Sequence, residues 1–108
     1  MQEKMQEKLY SKYFKAFGDP SRLKILTILA NGELTVNEIV KKVGLSQPTV
    51  SRHLAILREA GAVVDRRDGQ QVFYSLNKEN IQTCCVDFCC GLDIPKMGFK
   101  IIDKRKKS

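Results

Sequence analysis

The feature that most constrains this chain is a three-residue break, Gly44-Leu45-Ser46, set between two short amphipathic stretches. Upstream of it, Val36, Ile39, Val40 and Val43 recur at helical spacing, and Thr35 followed by Glu38 reads as a capping box. Downstream, Ser46 caps a helix running to about Glu59, whose buried stripe is Val50, Leu54 and Leu57 and which Gly61 closes. Two helices joined by so short a turn are what a helix-turn-helix looks like in sequence.

The flanks extend this pattern. Met5, Leu9, Tyr13, Phe14 and Phe17 predict an amphipathic helix over about 3–17, which Gly18 ends. Asp19 then caps a second helix with Pro20 in its first turn, where a missing N–H costs little. Leu23, Ile25, Leu26 and Leu29 are expected to supply its core, and Asn31-Gly32 stops it. After Gly61 come Val63-Val64, an Asp68-Gly69 turn and the β-rich run Val72 to Leu76, a strong hairpin signal. Asn77 is expected to cap a fifth helix that Gly91 and Pro95 bring to an end. The predicted fold is mainly α with a β-hairpin wing, in the order α-α-α-α-β-β-α. One domain is expected over 1–92, followed by a basic tail at 93–108 that holds six Lys or Arg from Lys96 onward.

The formal net charge is +7 over 108 residues. Excess positive charge on a small domain suits a polyanion such as nucleic acid, although charge alone fits an acidic membrane surface equally well. No apolar run approaches the roughly 18 residues needed to cross a bilayer. The opening Met-Gln-Glu-Lys repeat is too polar for a secretory signal, so a soluble cytoplasmic protein is expected.

With Val50, Leu54 and Leu57 turned inward, the fourth helix exposes Gln47, Pro48, Thr49, Ser51, Arg52 and His53 at its N-terminal end. That is the end a helix-turn-helix pushes into the major groove of double-stranded DNA. Arg reads guanine and Gln adenine through two-pronged hydrogen bonds, while Ser and Thr reach base edges or phosphates. Arg66, Arg67 and Gln70 on the hairpin would reach neighbouring backbone. The competing reading of each such residue is an ordinary solvated helix face; it weakens because caps, turn, hairpin and charge agree. His53, the only histidine, reads as a polar neighbour of the groove or a hydrogen-bonded packing residue, not a metal ligand.

Three stretches carry a family resemblance: Phe14-Lys-Ala-Phe-Gly-Asp-Pro-Ser-Arg-Leu-Lys-Ile-Leu, then Leu45-Ser-Gln-Pro-Thr-Val-Ser-Arg-His-Leu-Ala-Ile-Leu-Arg-Glu-Ala-Gly, then Asp65-Arg-Arg-Asp-Gly-Gln-Gln-Val-Phe-Tyr-Ser-Leu. Over about residues 9–80 the chain resembles the ArsR/SmtB winged helix-turn-helix repressors. The resemblance implies a homodimer joined through its first and last helices. It also implies binding to an imperfect palindrome and release from DNA when an inducer binds.

Cys84, Cys85, Cys89 and Cys90 fall within seven consecutive positions, which is no layout for a disulfide framework. Arsenic-sensing relatives often carry Cys-Val-Cys at the start of the third helix, where this chain has Thr35-Val36-Asn37. Zinc-sensing relatives use acidic and histidine ligands along the last helix, and one histidine cannot build that site. Sensing therefore falls to the four cysteines. Cys85 and Cys89 are one turn apart, in roughly the sector of Ile81, Phe88 and Leu92, which predicts a face packed inward or against a second subunit. Thiolates select soft ions, so the inducer is expected to be As(III) or Sb(III), which the resemblance favours, or else Cd(II), Pb(II) or Bi(III), with no obligatory cofactor. Redox or persulfide sensing remains open, as does cysteine acting as a small hydrophobe in an interface. A small thiol oxidoreductase is the rival of another class, and it lacks a Cys-x-x-Cys on a βαβ pattern. An interaction module whose winged helix has lost DNA is the other rival.

Overall fold

The computed structural model describes residues 2–92, with side chains described for Lys8, residues 10–86, Phe88 and Leu92. Along the chain run α1 (Gln2–Phe17), α2 (Pro20–Leu29), β1 (Leu34–Thr35), α3 (Val36–Val43), α4 (Gln47–Glu59), β2 (Val63–Asp68), β3 (Gln71–Leu76) and α5 (Lys78–Gly91). Among the described residues, those through Lys78 form one compact unit and those from Glu79 to Leu92 belong to a second. The expected basic tail, 93–108, lies outside the described residues, as does Pro95.

The helix starts follow from local chemistry. At α2 the Asp19 carboxylate accepts the Arg22 backbone N–H at 3.1 Å, with Pro20 in the first turn. At α3 the capping box closes both ways: the Glu38 N–H donates to the Thr35 hydroxyl at 3.2 Å, and the Thr35 N–H donates to the Glu38 carboxylate at 2.8 Å. Gly44 ends α3 at φ +75°, a left-handed conformation that costs glycine nothing, and α4 begins three residues later.

Three helices share the centre of the first unit. Ile25 and Leu29 of α2, Ile39 of α3, and Val50, Leu54 and Leu57 of α4 are almost fully removed from water, with Val63 of β2. Each such side chain contributes roughly 1.5–3 kcal/mol of burial free energy. Tyr13 and Ala16 bring α1 onto the same core, and the Tyr13 hydroxyl donates to the Gly61 carbonyl at 3.5 Å.

Two core expectations need correction. Leu23 is 48% exposed, because it sits about 200° around the helix from Ile25 at roughly 100° per residue; Leu26 is half-buried. On α1, Phe14 is 49% exposed and the buried positions are Tyr13 and Ala16. The side chains of Met5 and Leu9 lie outside the described ones.

The sheet holds one strand more than the sequence predicts. Strand β1 pairs antiparallel with β3 (Leu34 opposite Tyr74, Thr35 opposite Phe73), giving the order β1-β3-β2. Two residues are too few to show a period of two, so no sequence pattern marks them. The hairpin turn is Gly69-Gln70, one position later than expected, because Asp68 still pairs with Gln71. Gly69 takes φ +65° there. The architecture is otherwise the expected winged helix-turn-helix.

Candidate nucleic-acid interface

The N-terminal turn of α4 is built by Ser46. Its Oγ accepts the Thr49 backbone N–H at 3.4 Å and donates to the Thr49 hydroxyl at 2.9 Å. With Val50, Leu54 and Leu57 fully buried, α4 turns Gln47, Pro48, Ser51 and Arg52 to solvent, while Thr49 and His53 are half-buried on its flank. His53 is not an open groove residue on all sides: its Nδ1 lies 3.3 Å from the Arg22 Nη1.

The wing separates two adjacent arginines. Arg66 is engaged within the protein: its Nε and Nη2 donate to the two Glu33 carboxylate oxygens at 3.0 and 2.8 Å. Asp68 lies 3.8 Å away, and the guanidinium stacks 4.7 Å over the Phe73 ring, its cross-strand partner. The hydrogen bond from Arg66, reinforced by its charge, holds the Glu33 carboxyl below its ordinary value. Arg67, one residue on, points to the opposite face of the strand, is exposed, and makes no salt bridge among the described residues. A second ion pair, Arg58 to Asp65 at 3.1 Å, ties the end of α4 to β2.

Fold and site meet in one shallow groove lined by Thr35, Val36, Asn37, Gln47, Gln70, Gln71 and Val72. It brings Gln47, at the start of α4, beside Gln70 in the wing turn. Two of the sequence-predicted contacts are thereby placed together. Asn37 joins them, a residue that sequence reasoning used only to exclude a thiol site; its exposed place in the first turn of α3 is the signal that could have found it.

On α5, Cys84 is half-buried and Cys85 exposed, with Ile81 and Phe88 half-buried and Leu92 54% exposed. The half-buried α5 side chains among those described are Ile81, Cys84, Val86 and Phe88, a set that includes Cys84 and leaves out Cys85. The side chains of Cys89 and Cys90 lie outside the described residues. Among the described residues no three histidine, cysteine or acidic side chains gather as a metal cage. No described helix is long and apolar enough to cross a membrane.

Comparison with known proteins agrees with this geometry. The family model for bacterial regulatory proteins of the arsR family matches residues 19–64, from the cap of α2 to the first wing strand. The transcriptional repressor SdpR of Bacillus subtilis is 44% identical over 69 residues, 64% of this chain and 77% of that protein. The arsenic resistance transcriptional regulator ArsR1 of Pseudomonas putida is 49% identical over 67 residues, 61% of this chain; the match spans about half, 52%, of that protein. Among solved structures, the homodimeric winged helix-turn-helix DNA-binding domain of Mb0332 from Mycobacterium bovis superposes with a TM-score of 0.72 at 26% identity, covering 83% of this chain and 84% of that one. The chain belongs to the arsR family of bacterial regulatory proteins, which are winged helix-turn-helix transcriptional regulators and not enzymes.

Proposed function

We propose that this chain works as a homodimeric cytoplasmic repressor. It holds an imperfectly palindromic double-stranded operator through α4 and the wing, and lets go when a thiophilic ligand, As(III) or Sb(III) first, binds cysteines of α5. The observation that carries the DNA half is the exposed start of α4, Gln47, Pro48, Ser51 and Arg52, whose first residue, Gln47, lines a groove with Gln70 of the wing. Arg52 suits guanine, Gln47 suits adenine, and Ser51 and Thr49 suit base edges or phosphates. The helix N-terminus adds free N–H groups for a phosphate. Arg67 gives backbone affinity, and Arg66 keeps the wing in place. A homodimer, as named for Mb0332, would on a palindromic operator set two α4 helices about one DNA turn, 34–36 Å, apart.

The sensing half is supported by the chemistry of the cysteines. Four thiols in seven positions offer sulfur donors to a soft ion, with no imidazole nearby in sequence to favour a harder one. Cys85 and Cys89 share a helical face, and Cys84, Cys90 or a second subunit would complete a trigonal set. The arsenic resistance role named for ArsR1 favours As(III). Drawing thiolates together reshapes α5 and shifts the spacing of the two reading helices. A coupling of roughly 1–3 kcal/mol lowers DNA affinity some 5–150-fold.

The test is fluorescence anisotropy of the chain on its own upstream DNA under reducing conditions, titrated with arsenite, cadmium, lead, zinc and, separately, peroxide. Release by near-stoichiometric arsenite that is lost in Cys85→Ser/Cys89→Ser is the expected result. Release by cadmium or lead alone moves the inducer to the divalent ions. Release by peroxide alone moves the protein to redox sensing. Arsenite release that survives the double substitution overturns the cysteine assignment.

A further inference from the structure

Arg22 is held at three points before it reaches α4. Its backbone N–H donates to Asp19, its Nε to the Ala16 carbonyl at 2.8 Å and its Nη2 to the Lys15 carbonyl at 3.0 Å. The remaining nitrogen, Nη1, lies 3.3 Å from His53 Nδ1. A guanidinium can only donate, so Nδ1 must accept and can carry no proton. With Nδ1 as the acceptor, the ring N–H belongs on Nε2, the nitrogen on the far side of the ring from Arg22. Nε2 makes no hydrogen bond among the described residues and is not sealed from water, on a His53 that is half-buried overall. It lies one turn beyond Thr49 and next to exposed Arg52, on the flank of the reading helix.

We infer that Arg22 is a positioning residue for operator binding: it fixes His53 as the neutral Nε2–H tautomer and aims that N–H at a backbone phosphate of DNA. This rests on the DNA-binding reading above. Because the donor is uncharged, it adds affinity and releases no counterion of its own. The contact positions the helix and carries no base preference.

His53 is the only histidine, so its ring nitrogens give a single set of signals in long-range proton–nitrogen NMR. Recorded near pH ~8, above the ordinary imidazole value, the spectrum is expected to show Nε2 protonated and Nδ1 bare. A proton on Nδ1, or an even mixture of tautomers, overturns the inference. Operator affinity then separates the two nitrogens. His53→Gln keeps a donor near the Nε2 position and is expected to bind within about twofold of the parent chain. His53→Asn keeps an acceptor for Arg22 but loses the distal donor, and is expected to bind roughly tenfold more weakly on every sequence, with an unchanged salt slope. Arg22→Lys is expected to mix the tautomers and weaken binding in the parent chain but to add little on His53→Gln, where no tautomer needs fixing. His53→Asn binding as tightly as the parent overturns the phosphate contact, and a salt slope lower by about one shows the ring is cationic and overturns the tautomer. A parent chain that binds no DNA at low salt overturns the operator reading and the phosphate contact with it, while the NMR result still decides the Arg22 contact.

Discussion

Arg66 on β2 and Glu33 just ahead of β1, thirty-three positions apart, are joined by two parallel hydrogen bonds of 3.0 and 2.8 Å. The pair links the wing to the segment that leads into α3. The geometry is the fork that a planar guanidinium offers a carboxylate, which a lysine could not reproduce.

A pH dependence follows from that pair. The Arg66 hydrogen bond lowers the Glu33 carboxyl in the folded chain. A group depressed on folding stabilises the native state above its unfolded value, ~4.3 for glutamate, and that contribution is lost as pH falls through the lower folded value. Carbon-detected NMR titration is expected to place Glu33 below an ordinary glutamate and to return it to the ordinary range in Arg66→Ala. An unchanged Glu33 midpoint in that variant would remove the pair from solution.

The two wing arginines are expected to behave differently on DNA. Arg67 has no salt-bridge partner among the described residues, so Arg67→Ala should weaken binding on all sequences and reduce the salt slope by about one. Arg66→Ala removes a charge already balanced by Glu33, and the slope should hardly move, while wing amide resonances shift. Equal slope changes in the two variants would contradict this division.

Leu54 is fully buried at the middle of α4. Leu54→Ala should cost about 2–5 kcal/mol, the range for a truncated core leucine. Urea denaturation followed by circular dichroism measures it. A loss below ~1 kcal/mol would mean that the core collapses around the gap.

Gly44 has open space where a Cβ would stand, yet sits at φ +75°. Gly44→Ala should therefore destabilise by roughly 1 kcal/mol through backbone conformation alone, and should disturb operator binding because the turn sets the angle of α4. Thermal unfolding that matches the parent would show that the turn tolerates a side chain there.

Local chemistry made much of this fold legible. Asp19, Thr35 and Ser46 announce their helices because a cap is settled within four residues, and Val50, Leu54 and Leu57 are buried as their spacing predicts. Periodicity marks a stripe but not its width, so Leu23 and Phe14 were expected inside and lie half in water. Strand β1 is two residues long and exists only through its pairing with β3. The site was legible as a set of residue types on α4 and the wing. What each does depends on distant partners: Arg66 on Glu33 and His53 on Arg22, thirty-one positions away, which no local pattern in a single sequence encodes.

The start of α4 as the reading surface is tested most directly with a duplex selected from a random-sequence pool, compared with a scrambled duplex by anisotropy across a salt series. The parent chain is expected to prefer the selected duplex by about 10³ or more. Arg52→Ala and Gln47→Ala should each cost roughly 1–3 kcal/mol on the selected duplex and relax preference at one base pair. Binding and preference that survive both substitutions unchanged would contradict the assignment of α4 to the major groove.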